Sequence, residues 1–183
     1  MQPSKYLNNW LMKNTNPGRY LFTSKDLRPL FLNLSDNAFK TLLSRAVKSG
    51  CLTRICRNIY AYSYLIAQSS GLILFHVASL LRSNEFNYIS LETVLSDAGI
   101  ISQIPINQVF IMSSGRSSTI SCCHFGTIEF IHTNRKPIEV MSKLNYDNNA
   151  KLWRANIELA LEDMKRTHRS LDLIDWNVAN EFI

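Results

Sequence analysis

Residues 35–62 constrain this chain more than any other stretch. Ser35 precedes an apolar stripe, Phe39, Leu42, Leu43, Ala46 and Val47, that falls at i, i+3, i+4, i+7 and i+8 and stops at Ser49 and Gly50. That spacing puts the stripe on one face of an α-helix. A serine is a preferred N-terminal cap, and a glycine is a preferred stop. Directly after the glycine, residues 51–56 and 59–62 read as two short strands joined by the basic turn Arg57-Asn58. Caps and turns alone therefore dictate a helix followed by a two-stranded ribbon.

Upstream, Tyr6, Leu7, Trp10 and Leu11 form a stripe for a first, supporting helix over residues 4–13, ended by the turn cluster 14–18 with its Pro17-Gly18 pair. Tyr20, Leu21 and Phe22 suit a short strand. Thr23 followed by Asp26 has the spacing of a capping box, and Leu27, Leu30 and Phe31 supply the apolar face of a second helix that Pro29 keeps short. Three helices followed by a ribbon is the element order of a winged helix-turn-helix. Its third helix turns Asn37, Lys40, Thr41, Ser44, Arg45 and Lys48 away from the stripe. A lone helix fits the major groove, where such side chains reach base edges and phosphates. Arg54, Arg57 and Asn58 on the ribbon are expected against the flanking backbone or minor groove, where they contribute salt-sensitive affinity.

Charge points the same way. Residues 1–68 carry ten Lys and Arg against two acidic residues, a net of +8, whereas residues 69–183 carry ten against twelve, a net of −2. All the excess positive charge sits in one small segment, the profile of a nucleic-acid-binding module joined to a separate domain. The plainer alternative is the solvated basic face that any amphipathic helix shows. Charge concentrated on both the helix and the ribbon turn favours double-stranded DNA.

The expected domains are 1–68, the winged helix-turn-helix, and 69–183, a mixed α/β C-terminal domain, with residues 63–70 as a polar-tailed connector. The fold class is α+β. In the second domain, residues 71–82 read as an almost wholly apolar helix, and Tyr88 and Ile89 begin a strand or turn. Ser90 caps a helix through Leu91, Val94, Leu95 and Ala98 that stops at Gly99. Pro105 precedes a strand at 109–112, residues 113–118 with Gly115 form a loop, and residues 119–125 and 127–132 pair around Gly126. Residues 145–149 read as a loop. Residues 150–167 read as a helix with Trp153, Ile157, Ala160, Leu161 and Met164 on one face, and Asp175 caps a last helix through Trp176, Val178, Ala179 and Phe182.

Other classes fit poorly. No apolar run reaches the roughly 18 to 20 residues of a membrane span, so no membrane partner is expected. Residues 1–13 lack the pattern of an export signal, which leaves a cytoplasmic location. Cys51 and Cys56 are five apart and Cys122 and Cys123 adjacent, spacings unlike a zinc ladder, so they read as small buried hydrophobes. His76, His124, His132 and His168 belong to no catalytic motif. A Cys123–His132 dyad lacks an orienting third residue, and Gly115-Arg116-Ser117 lacks the ending of a phosphate loop. Glu162, Asp163, Asp172 and Asp175 suit helix surfaces and caps better than a metal-dependent nuclease. No catalytic residue, cofactor or metal is expected, and the chain reads as not an enzyme.

Four segments resemble the AbiEi family of antitoxins from type IV toxin-antitoxin systems: LSDNAFKTLLSRAVKSGCLTRICRNIYAY, YISLETVLSDAGII, FGTIEFIHT and ANIELALED. The third is similar to the family's glycine-bearing hairpin. The fourth is similar to its Ala-x-x-Glu-x-Ala-Leu-x-Asp pattern, met by Ala155, Glu158, Ala160, Leu161 and Asp163. Where the family often has proline before the glutamate, this chain has Ile157, so that helix is expected to begin earlier. The resemblance implies a bacterial transcription regulator whose winged domain binds inverted repeats in its own promoter and represses it. It also implies a C-terminal domain with antitoxin function, paired with a nucleotidyltransferase-like toxin that it need not bind stably. A homodimer on DNA is compatible with that arrangement. Two other readings stay open at this stage: a transcriptional regulator without a toxin partner, and a non-catalytic protein-protein interaction module that uses the winged domain for docking.

Overall fold

The computed structural model describes residues 2–69, 71–102 and 107–182. Ser70 and Pro105, used above as connector and strand signals, lie outside the described residues. The chain divides after Ile73 into two compact units.

The first unit contains α1 (Pro3–Asn14), β1 (Leu21–Thr23), α2 (Ser24–Leu27), a 3-10 turn at Arg28–Phe31, α3 (Asp36–Lys48), β2 (Leu52–Cys56), β3 (Ile59–Tyr62) and a 3-10 stretch at Ser63–Ser69. Local chemistry explains these bounds. The Thr23 hydroxyl accepts from the Asp26 N–H while the Asp26 carboxylate accepts from the Thr23 N–H, a reciprocal capping box. Pro29 then switches the chain into the 3-10 turn. The Ser35 hydroxyl accepts from the Ala38 N–H at the start of α3, a cap worth about 1 kcal/mol. Gly50 ends the helix at φ +75°, and Asn58 turns the β2–β3 hairpin at φ +64°, conformations that these two residue types accept most readily.

β1 pairs with β3, giving a three-stranded antiparallel sheet in the order β1-β3-β2 with Leu21 opposite Ala61 and Leu52 opposite Tyr62. Leu7 and Leu11 of α1, Leu27, Phe31, and Phe39, Leu42, Leu43 and Ala46 of α3 close over Phe22, Leu52 and Tyr62 as one core. Burial of a Leu or Phe there contributes about 1.5–3 kcal/mol, which holds α3 against the sheet.

The second unit contains α4 (Ile73–Leu81) from Leu74 on, β4 (Asn87–Ile89), α5 (Leu91–Asp97), β5 (Gln108–Ser113), β6 (Ser118–Ser121), β7 (Thr127–His132), α6 (Pro137–Val140), β8 (Leu144–Asp147), β9 (Leu152–Ala155), α7 (Ile157–Arg166) and α8 (Trp176–Ala179). Its six-stranded sheet runs β6-β7-β5-β4-β9-β8 and is mixed: β7 lies parallel to β5 and β9 parallel to β4, and the other neighbours are antiparallel. α5 packs against both α7 and β5. The protein is thus of mixed α and β structure.

Several expectations are corrected. Residues 145–149 are not simply a loop, because Leu144–Asp147 form an edge strand paired with β9. Residues 152–155 are strand and not helix: Tyr88 pairs with Trp153 and Ile89 with Arg154 in the parallel β4–β9 ladder. The helix does not begin early for want of proline. It begins at Ile157 because the Asn156 side chain accepts from the Leu159 N–H. The strand expected over 119–125 ends at Ser121, where Cys123–Phe125 form a 3-10 turn. Ser90 precedes α5 without capping it, since its hydroxyl is directed to Asp163. The four residues of α6 had no counterpart in the sequence reading.

Candidate nucleic-acid interface

α3 is positioned from both ends and from behind. At its start, the Arg28 guanidinium donates to the carbonyls of Phe31 and Leu34, the latter at 2.9 Å, and meets Asp36 Oδ1 at 3.2 Å. The same guanidinium lies 5.3 Å from the centre of the Phe39 ring. It thereby ties the α2–α3 connection to the first turn of the helix. At the other end, the Ser49 and Gly50 N–H groups close onto Arg45 and Val47 carbonyls, and the apolar face is buried in the core.

The opposite face presents Asn37, Lys40, Thr41, Ser44, Arg45 and Lys48, every one of them exposed. The Thr41 hydroxyl donates back to the Asn37 carbonyl at 2.8 Å, which leaves its oxygen as an acceptor and its methyl exposed. Arg54, Arg57 and Asn58 are also exposed. Arg54 sits in mid-strand beside a register shift in β2–β3, and its Nε donates to the Cys56 carbonyl at 3.4 Å. Arg57 and Asn58 form the hairpin turn, and the Asn58 carbonyl accepts from the Ser24 N–H at 2.9 Å, which anchors the turn to the start of α2. α3 and β2 pack directly on each other. Six of the nine residues therefore share one helix face and the other three one hairpin.

Most of the positive charge of the first unit is uncompensated. Its two carboxylates are both engaged, Asp26 in the Thr23 capping box and Asp36 with Arg28. Among the described residues, Arg28–Asp36 is the single ion pair of that unit. In the second unit Arg82, Arg135, Lys143, Arg154 and Arg169 each pair with carboxylates. Excess positive charge thus remains on the first unit, while five of the ten Lys and Arg of the second are paired with carboxylates. In the first unit burial pushes the Tyr20 hydroxyl up to about 12, opposed by a hydrogen bond with Ser69, and raises the thiol of the half-buried Cys51.

Two contributions escape sequence reasoning. Arg28 looks like one more surface cation, yet it organises the turn, and the only sequence hint is its place just before Pro29. Lys5 and Tyr64 line a cleft with Arg45, and nothing in their spacing announces it.

In the second unit several polar residues are buried. Asp163, expected on a helix surface, is fully buried. It accepts from the Ser90 hydroxyl at 2.8 Å and faces Arg135 Nε at 3.4 Å. Burial raises its carboxyl above the ordinary range, with the Ser90 and Tyr88 hydroxyls and the Arg135 charge opposing. Burial likewise raises the Tyr88 hydroxyl. Of the pattern at 155–163, Ala155, Ala160 and Leu161 are core, and Glu158 pairs with Lys143 at 2.9 Å. Arg169 pairs with Glu92 at 2.6 Å and with Glu129 and lies 4.6 Å from the centre of the Phe110 ring. These contacts join distant segments.

His76 is buried and hydrogen-bonds the Asn149 carbonyl at 2.6 Å, and burial lowers its pKa. His132 directs its ring nitrogens to the Gly115 carbonyl and to Asn134, not to Cys123, which is exposed. Among the described residues no group of three or more His, Cys, Asp or Glu is placed to hold a metal ion. Among them, too, no single helix is long and apolar enough to cross a membrane. No protein-family model and no curated protein matches this chain.

Proposed function

We propose that this chain is a DNA-binding transcriptional repressor whose first unit is a winged helix-turn-helix. α3 enters the major groove, and the β2–β3 hairpin lies as the wing along the flanking backbone. The observation that carries this reading is the row of exposed polar and basic residues along α3, on a unit whose positive charge is left unpaired. A packed apolar face fixes such a helix while its outer face reads base edges. Asn37, Lys40, Thr41 and Ser44 are the base-reading candidates, because the N-terminal part of a recognition helix penetrates the groove most deeply. Lys48, Arg54, Arg57 and Asn58 meet phosphates.

The resemblance to AbiEi antitoxins extends the proposal. The chain represses its own promoter over inverted repeats and serves as the antitoxin of a type IV system, without catalysis or cofactor, beside a nucleotidyltransferase-like toxin. The second unit supplies the antitoxin function.

A gel shift with the DNA upstream of its own reading frame, run at two salt concentrations, tests the DNA half. Retention of that duplex over a scrambled one is the expected result, with affinity falling steeply as salt rises. Equal retention of both duplexes removes the repressor reading and favours a docking module. For the antitoxin half, co-expression with a neighbouring nucleotidyltransferase-like protein is expected to relieve its toxicity. Undiminished toxicity leaves a plain regulator.

A further inference from the structure

A cleft of about 520 Å³ opens between α1 and the C-terminal half of α3. Lys5 lies on its α1 side and Arg45 on its α3 side, with Ser4, Asn8, Ser49 and Tyr64 among the remaining lining residues. Arg45 also borders a second, more apolar hollow of about 320 Å³ against the first turn of α1. Its side chain is thus placed along the α1–α3 seam. Among the described residues, no carboxylate lines either space. The two acids of the unit are held elsewhere, by Thr23 and by Arg28. Asn8, whose Oδ1 accepts from the Cys51 thiol at 3.4 Å, also lines the cleft. Two cations with hydroxyl and amide donors between them are the chemistry of a phosphate contact.

Resting on the DNA-binding reading above, we infer that this cleft holds one backbone phosphodiester of the duplex between Lys5 and Arg45, so that Arg45 positions the DNA and does not read a base. The occupant is a polymer phosphate and not a free anion for a physical reason. The cleft is open to water, and Tyr64 at its edge is 73% exposed, so a lone phosphate there gains little against screening. A duplex already seated on α3 delivers its phosphates at high effective concentration.

The test measures affinity of the full chain for the upstream duplex and a scrambled duplex across a salt series, comparing wild type with Lys5→Ala, Lys5→Arg, Arg45→Ala and Lys13→Ala. Lys13 closes α1 at its other end and is the control. Lys5→Ala and Arg45→Ala are each expected to reduce the salt slope by about one and to weaken both duplexes by the same factor, about threefold to tenfold at low salt. Lys5→Arg restores binding, and Lys13→Ala leaves the slope unchanged. If wild type binds and Lys5→Ala keeps the wild-type slope, the cleft assignment is wrong while the DNA reading stands. An Arg45→Ala loss confined to the upstream duplex makes Arg45 a base reader and overturns its assignment here. Millimolar inorganic phosphate that erases the Lys5-dependent difference at constant ionic strength, where chloride does not, reassigns the cleft to a free anion. Failure of wild type on both duplexes sinks the DNA reading and this inference together.

Discussion

The hydroxyl of Ser90 donates a 2.8 Å hydrogen bond to Oδ2 of Asp163, and both residues are completely buried. One follows β4 and the other lies on α7, so this bond ties the end of the strand to the helix.

Burial of the Asp163 carboxyl, which the Ser90 bond opposes, has a pH signature. The Asp163 carboxyl is raised above its ordinary range chiefly by burial, and a group raised on folding takes up protons as the chain folds. Its contribution to stability is full below the ordinary carboxylate range and is lost as pH rises through the raised folded value. Denaturation midpoints of the wild type are therefore expected to fall over that window, and Asp163→Asn is expected to flatten the fall. An equally steep fall in Asp163→Asn would contradict the assignment. Ser90→Ala leaves the buried Asp163 carboxyl without its hydroxyl donor and should cost about 1–3 kcal/mol.

Arg28 and Asp36 form an ion pair of unequal partners, with side chains 29% and 83% exposed. Asp36→Ala loses an exposed pair and a helix N-terminal charge, about 1 kcal/mol or less. Arg28→Ala strips the donors from the Phe31 and Leu34 carbonyls as well, which costs about 1–3 kcal/mol. Chemical denaturation of the two variants is expected to rank them in that order, and equal effects would reduce Arg28 to a surface charge.

On the DNA-binding reading proposed above, Asn37 and Lys48 are expected to separate reading from positioning on α3. Asn37→Ala is expected to cost about 1–3 kcal/mol on the upstream duplex and almost nothing on a scrambled one. Lys48→Ala should weaken both alike and lower the salt slope by about one. Uniform loss with Asn37→Ala would remove it from the base readers.

Gly126 sits at φ +124°, and a Cβ there would lie 1.9 Å from the Asn107 carbonyl oxygen. The neighbouring Thr127 N–H donates to that same oxygen at 2.8 Å, so the backbone has little room to retreat. Gly126→Ala is expected to destabilise the second unit by more than about 2 kcal/mol, seen as a lowered melting temperature. A melting temperature like that of the wild type would mean the hairpin yields.

The first unit was largely legible because its signals are local. The Thr23–Asp26 box, Pro29, Ser35, Gly50 and Asn58 each act through their own φ/ψ or through hydrogen bonds a few residues away. The candidate face on α3 was legible for the same reason, since it is the complement of the apolar stripe. The cleft at Lys5 and the clamp at Arg28 were not, because both depend on how α1 and the α2–α3 turn pack against α3.

The misreading at 145–155 has a specific cause. Trp153 stands four residues before Ile157, in step with Ala160, Leu161 and Met164, so periodicity extends the helix backwards through it. The stop signals were Asn156, a capping residue, and Lys151 at φ +57°. The pairing of Trp153 with Tyr88 that makes this stretch a strand is long-range.

By itself, then, the sequence determined the helices of the first unit, their caps, the hairpin turn and the one-sided charge, all set by dihedral preference, periodicity and composition. Only the tertiary structure decided that β1 joins β3, that residues 152–155 enter a parallel ladder, and that Asp163 is buried against Ser90 and Arg135. Each of these unites groups far apart along the chain. Backbone hydrogen bonds and a buried carboxylate need partners, and no local pattern records where a distant partner will come from.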